Sequence, residues 1–226
     1  MKIAVISDVH SNLEALEAAL KEIDKMKIQN IFCAGDICGY GANPNECIEE
    51  IRRRNIQSVM GNHDYGIVNL NSSWFNEQAA KALWWTIENL EKNNLEFIKS
   101  LPEKIDVDID GRKMLVVHGS PRNPIWEYIY PTDANATFVK DVNQDIIVVG
   151  HSHIPFIKKI SDKLVLNPGS VGQPRDSNPK ASFAVIDIDR FSAKNIRVNY
   201  DVETTSKKII KAGFPEFSAM RLHGGV

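Results

Sequence analysis

The chain has 226 residues, 43% of them hydrophobic and 25% charged, enough to bury one sizeable core as a single globular domain. Its 27 Lys plus Arg nearly balance 29 Asp plus Glu, which leaves no broad basic face and argues against tight binding of duplex nucleic acid, though not of a small nucleotide. Cys33, Cys38 and Cys47 are too few and too unevenly spaced for a disulfide framework or a Cys-x-x-Cys zinc site. The apolar run after Met1-Lys2 is too short for a signal peptide, and no run reaches about 18 apolar residues, so a reducing cytoplasm and no membrane are expected.

The first third alternates strand and helix. A strand over 2–7 leads to Ser11 and Glu14, which have the spacing of a capping box, and Leu13, Leu16, Leu20, Ile23 and Met26 then recur at helical period, predicting a helix over 12–27. Ile31 to Ala34 reads as the next strand. Asn43, Pro44 and Glu46 repeat the start signal, Cys47, Ile48 and Ile51 mark an apolar face, and Arg52-Arg53-Arg54 reads as a solvated helix end. Ser58 to Met60 completes β-α-β-α-β, which predicts parallel strands with right-handed crossovers.

Phe75, Ala79, Leu83, Ile87 and Leu90 then lie three or four apart, and Leu95, Phe97, Ile98 and Leu101 form a second helical stretch ended by Pro102. After it the pattern turns to strands. Lys104 to Ile109 and Lys113 to Val117 flank Asp110-Gly111, a dipeptide suited to a tight hairpin. Ile146 to Val149, Phe156 to Ile160, Leu164 to Leu166, Phe183 to Ile188 and Ile196 to Asn199 follow, with a helix near 204–212 and an exposed tail. Two strand-rich halves with helices at both ends suggest two sheets packed face to face, a four-layer αββα sandwich, although spacing alone does not choose this over one doubly wound sheet.

Five of the six histidines, together with the carboxylates Asp8, Asp36 and Asp64, fall in five short segments: Asp8-Val9-His10, Gly35-Asp36, Gly61-Asn62-His63-Asp64, His118-Gly119 and Gly150-His151-Ser152-His153. Each follows a run of β-type apolar residues, so the candidate ligands sit just past strand ends, where the loops of α/β sheets converge on one crevice. That clustering reads as a two-metal site. His223, in the tail, is given no role.

The five motifs in this order, D-x-H, G-D, G-N-H-D, H-G and G-H-x-H, resemble the calcineurin-like metallophosphoesterase superfamily over residues 3 to about 188. Gly39-Tyr40-Gly41, Ser120 to Pro124 and Asn167 to Arg175 resemble its compact prokaryotic branch of phosphodiesterases and diadenosine tetraphosphatase-like enzymes. The resemblance implies the αββα sandwich of two mixed sheets flanked by helices. It also implies two divalent metal ions, with Asp8, His10 and His153 on one, Asn62, His118 and His151 on the other, and Asp36 bridging. Manganese leads the candidates, with iron, zinc, nickel and magnesium also compatible with mixed N/O ligands. A metal-bridging hydroxide would then attack phosphorus in line, with His63 stabilising the transition state or protonating the leaving oxygen and Asp64 orienting His63. Arg122 and Arg175 are candidate phosphate clamps, or braces of their loops.

The substrate expected on these grounds is a small phosphoester, a nucleotide diester or monoester. A protein phosphatase is the enzymatic rival, for which no long insertion supplies a peptide groove. A non-catalytic scaffold, like the retromer subunit on this fold, is the other rival, but no ligand position is replaced here. Trp74, Trp84 and Trp85 read as packing on a helix pair, and Cys38 as a buried filler. Trp126, Tyr128 and Tyr130 read either as loop packing or as an aromatic wall for a nucleobase or aryl leaving group. Gly169-Ser170 is either a tight turn or a loop that aims backbone N–H groups at phosphate.

Overall fold

Alternation along the first strand divides the core in two. In β1 (Lys2–Ile6), Ile3 and Val5 point to one face and Ala4 and Ile6 to the other, and all four are buried. The computed structural model describes residues 1–226. It sets β1 at the centre of a five-stranded sheet, with β2 (Ile31–Cys33) and β3 (Gln57–Ser58) parallel on one side. On the other side β9 (Ala181–Asp187) and β10 (Ser192–Val198) are antiparallel additions. A second five-stranded sheet runs β4 (Lys104–Ile109), β5 (Arg112–Val117), β6 (Ile146–Val148), β8 (Lys163–Asn167), β7 (Phe156–Ile160). Its three inner strands are parallel and its two edges antiparallel.

The sheets lie face to face because both are apolar on both faces. Ile3, Val5, Phe32 and Ala34 pack against Met114, Val116, Ile146, Val148 and Leu166 across the sandwich. The other face of the first sheet is covered by α1 (Leu13–Lys25), α2 (Pro44–Arg53), α3 (Asn62–Val68), α4 (Glu77–Asn89) and α5 (Lys92–Lys99). The outer face of the second sheet, with Leu115, Val117, Ile147 and Val165, is covered only by the one-turn α6 (Ala136–Val139) and the loop carrying Ile129 and Ala134. The αββα sandwich is thick on one side and thin on the other. No helix is long and apolar enough to cross a membrane.

Several local expectations change. Helix α1 is capped by Asn12, whose side-chain oxygen accepts from the Ala15 N–H at 3.1 Å, and not by Ser11. Ser11 sits at φ +55° in the turn that delivers His10, away from the extended backbone an N-cap uses. The tail is not exposed: α8 (Glu216–Gly224) pairs with α7 (Val202–Lys211) and buries Ala219 and Leu222 with Ile209, Phe214 and Ala82. Phe217 and Met220 of α8 are exposed, so apolar residues occur all round this helix and blur its period. The Asp110-Gly111 hairpin holds, with both residues at positive φ.

Candidate active site

The parallel strands of both sheets deliver their loops to one edge. Asp8 and His10 leave β1, Asp36 leaves β2, Asn62 and His63 open α3, His118 leaves β5, and His151 and His153 leave β6. All are buried. Five of the seven proposed ligands, Asp8, His10, Asp36, His151 and His153, have φ between 49° and 66°. Left-handed backbone at a non-glycine residue costs roughly 1 kcal/mol or more and clusters at functional sites. Here it is held by bonds between loops: Asp8 N–H to Gly35 O and His10 N–H to Asp36 O at 3.0 Å, Gly150 N–H to His118 O at 2.8 Å and Gly172 N–H to Asp8 O at 2.9 Å.

The donor atoms converge as two half-shells. In one, His10 Nε2 lies 3.1 Å from His153 Nε2, 3.8 Å from Asp8 Oδ1 and 3.6 Å from Asp36 Oδ2. In the other, His118 Nε2 lies 3.0 Å from Asn62 Oδ1, 3.1 Å from His151 Nδ1 and 3.4 Å from the same Asp36 Oδ2. Ligands about 2.1 Å from one ion at tetrahedral or octahedral angles lie about 3.0–3.4 Å apart, so the second half has the spacing of a divalent-cation site, while in the first Asp8 Oδ1 and Asp36 Oδ2 stand wider from His10 than that range.

Protonation supports the fit. His10, His118 and His153 each present Nδ1 to a backbone carbonyl, of Cys38, Ala34 and Gln173. A carbonyl only accepts, so Nδ1 carries the proton and Nε2 brings a lone pair to the cluster. Two such lone pairs 3.1 Å apart repel unless a cation lies between them. Burial, reinforced by neighbouring histidines, pushes the pKa of His10 well below the usual range and that of His151 to about 2, so both are neutral.

The carboxylates follow the same logic. Asp8 Oδ2 accepts from Ser7 Oγ and the His151 N–H, which leaves the buried Oδ1 without a protein partner. Asp36 Oδ1 accepts from the His63 N–H at 2.8 Å, which leaves Oδ2 between the two halves. Gly61 must lack a side chain, since a Cβ there would lie 2.1 Å from Asp36 Oδ1. The Ser170 turn is a brace: its hydroxyl donates to Asp8 O and accepts from the Gln173 N–H, and the N–H groups of Gly169, Val171 and Gly172 donate to Asn167 Oδ1, Ser7 O and Asp8 O.

His63 stands over the first half, its ring 4.9 Å from His10, 4.6 Å from Tyr40 and 4.7 Å from Phe75. It also falls within 4.8 Å of His10 and Asp36 as a third possible ligand group. Its Nδ1 is buried without a partner, and burial followed by the charge of Arg175 lowers its pKa well below normal. Asp64 does not orient it. The Asp64 carboxylate accepts from the backbone N–H groups of Ile37, Cys38 and Gly61. An acidic residue in the third helical position reaches back to the cap, so Asp64 ties α3 to the loop that carries Asp36. Cys38 is fully buried beside it, as a filler would be.

The arginines separate. Arg122, 63% exposed at its side chain, pairs with Glu127 at 2.7 Å and braces its own loop. Arg175 reaches the site: it donates to Gln173 Oε1 at 2.8 Å, its guanidinium carbon lies 5.7 Å from the Tyr40 ring centre, and its charge depresses His63 and His153. Arg221 of α8 lies 6.0 Å from the same ring centre, a neighbour the sequence pattern could not show because α8 itself was not expected.

Beyond the second half opens a cleft of about 790 Å³ with Asn62 and His151 on its lining. Tyr65, Trp74, Trp126 and Tyr128 form its aromatic surface and Asn69, Asn71 and Asn123 supply amides. Trp74 is therefore a cleft residue, 72% exposed, and not helix packing. Trp85 does pack, against Phe214 at 5.1 Å. Tyr128 stacks on His151 with ring centres 3.6 Å apart, so Trp126 and Tyr128 form an aromatic wall, while Tyr130 stacks behind Tyr128.

Two mixed sheets that bring a histidine–carboxylate cluster to their strand ends, with one aspartate oxygen shared between two half-shells, make up the site of a metal-dependent hydrolase. Residues 1–190 match the calcineurin-like phosphoesterase superfamily domain. The chain belongs to that superfamily and is a hydrolase of phosphoester bonds. It is 46% identical to protein MJ0912 of Methanocaldococcus jannaschii, covering 99% of this chain and 98% of that one. It resembles the crystal structure of a metallophosphoesterase from Sphaerobacter thermophilus, with a TM-score of 0.85, 38% identity and coverage of 100% and 99% of the two chains. Phosphodiesterase YfcE of Escherichia coli is 24% identical over 85% of this chain and 90% of its own length.

Proposed function

We propose that the chain is a dinuclear metallophosphoesterase that cleaves phosphate diesters, and less readily monoesters, of small nucleotides. The observation that carries the reading is Asp36 Oδ2, which faces His10 Nε2 and His118 Nε2 at 3.6 and 3.4 Å and would give the two half-shells one carboxylate ligand in common. Asp8, His10 and His153 would hold one ion and Asn62, His118 and His151 the other. Two divalent ions, manganese first among those that suit this donor set, would supply Lewis acidity that activates water and neutralises charge at phosphorus.

The chain's own groups do the rest. Neutral imidazoles and two buried carboxylates leave the cluster short of negative charge for two dications, which favours an anionic substrate. His63, whose ring lies 4.9 Å from His10 and whose buried Nδ1 has no partner, would donate a proton to the leaving oxygen. Negative charge on a bound phosphate opposes the desolvation that keeps His63 neutral, so substrate itself raises the proton-donating form. Arg175 adds a positive charge on the Tyr40 side. The preference for diesters is supported by the resemblance to YfcE, named as a phosphodiesterase, and by the aromatic cleft, which suits an uncharged second substituent.

Elemental analysis of wild type and Asp36→Ala, each purified without chelator, tests the assignment. Wild type should carry about two divalent ions per chain and hydrolyse bis(p-nitrophenyl) phosphate, and Asp36→Ala should lose metal and turnover together. Full activity in Asp36→Ala would remove Asp36 from the site.

A further inference from the structure

The cleft beside the second half-shell is lined by nine residues, and none of them is Asp, Glu, Lys or Arg. An uncharged cleft leading directly off the histidine–carboxylate cluster is an unusual neighbour for a phosphate chain, which it could neither pair nor solvate well. Its aromatic rings are set at angles to one another, 46° between Trp74 and Trp126 and 78° between Tyr65 and Trp126, so they form an angled wall and not a plug. Trp126 is the hub, with ring centres 5.8 Å from Trp74 and 5.5 Å from Tyr65, and Trp74 remains open to solvent. Large exposed indoles cost solubility and recur where a flat ligand is stacked.

The amides restrict the ligand further. Asn69, Asn71 and Asn123 each carry both donor and acceptor atoms. Asn71 and Asn123 use their oxygens on the backbone N–H groups of Ser73 and Trp126, which leaves their NH2 groups as donors. Asn69 uses its NH2 on Tyr65 O, which leaves its oxygen as an acceptor. A rim with both donors and an acceptor around an aromatic floor matches a planar ring with mixed polar edges better than a plain hydrocarbon ring.

We infer that this cleft is a nucleobase subsite, in which the base of the substituent esterified to the scissile phosphate stacks on one of the tilted indoles of Trp74 and Trp126 and packs its edge on the other, while the asparagine amides address its polar edge. Asn62 and His151 line both the cleft and the second half-shell, so a base held there leaves its sugar directed at the phosphate position. The link from base to phosphoester rests on the phosphoesterase reading above, whereas binding of a base does not.

A titration of the ¹⁵N-labelled full chain with adenosine, uridine and ribose separates the two. The chain has four tryptophans, and each gives one indole N–H signal, assigned by single Trp→Phe variants. Trp84 donates its indole N–H to Ser72 Oγ and Trp85 packs on Phe214, so neither belongs to the lining and both serve as internal controls. Adenosine and uridine should shift the Trp74 and Trp126 signals saturably, and ribose should not. Trp126→Ala should weaken nucleoside binding roughly 5- to 150-fold, the range for losing one stacking partner. Exposed Trp74→Ala should act in the same direction, and decides the matter if Trp126→Ala does not fold. No saturable shift, equal shifts at Trp84 and Trp85, or unchanged affinity in the cleft variants would overturn the inference. Nucleoside binding by a chain that hydrolyses no phosphoester would leave the subsite standing and sink the reading of the metal centre.

Discussion

Asp64→Asn distinguishes a brace from a catalytic partner. The carboxylate is fully buried and accepts three backbone N–H groups, with Oδ2 taking Ile37 at 3.2 Å and Gly61 at 3.1 Å and Oδ1 taking Cys38 at 3.1 Å. Asparagine keeps the shape and one acceptor. With its oxygen on the Ile37 and Gly61 side, its NH2 meets the Cys38 N–H, donor against donor, and one buried amide loses its partner. That costs about 1–3 kcal/mol. At about 2–4 °C per kcal/mol for a chain of this size, the midpoint of thermal unfolding should fall by about 2–12 °C. Burial raises the Asp64 pKa, so removing the charge returns part of the loss and favours the lower half of that range. Turnover at saturating metal, well below the transition, should change only a few-fold, because Asp64 makes no bond to His63. Metal affinity should weaken, since the braced loop carries Asp36 and the Cys38 carbonyl that fixes His10. An unchanged midpoint with turnover reduced a hundredfold at every metal concentration would refute the argument and return Asp64 to the role of orienting His63.

His63→Ala should keep its metal content by elemental analysis and lose roughly 10²- to 10⁴-fold in kcat, most for poor leaving groups; loss of metal would make His63 a ligand. Arg175→Ala should lower kcat/KM by roughly 10- to 150-fold, the value of a charge-assisted hydrogen bond to phosphate, whereas Arg122→Ala should stay within about twofold because its exposed pair with Glu127 touches only its own loop. A calorimetric scan with and without chelator should show the metal-loaded protein more stable by about 2.7 kcal/mol at a metal concentration 100 times Kd, about 5–11 °C in the midpoint. Coincident scans would show that the cluster binds no ion tightly.

The parallel β-α-β-α-β run of the first third, the hairpin at Asp110-Gly111 and the gathering of histidines and carboxylates just past strand ends were legible in the sequence because they depend on local chemistry: period-2 and period-3.6 apolar spacing, turn residues, and motifs that follow apolar runs. Asp64 was misread for a local reason as well, since Gly61 with Asp64 three residues later is itself a cap signal and the stronger one here. The Ser11 cap failed because the backbone was already committed to delivering His10. Other features had no local signal. Helix α8 presents Phe217 and Met220 outward, so only contact with α7 and α4 decides that it folds down and brings Arg221 toward Tyr40. Trp74 and Trp126 are 52 residues apart, and nothing in either neighbourhood says that their rings meet at 5.8 Å. Sequence alone determined which side chains carry donor atoms that suit a metal, because donor chemistry belongs to the side chain. Tertiary structure alone decided which oxygen of Asp36 faces both His10 and His118, which arginine reaches the site and where the aromatic cleft opens, because each depends on where separate strand ends are brought in space.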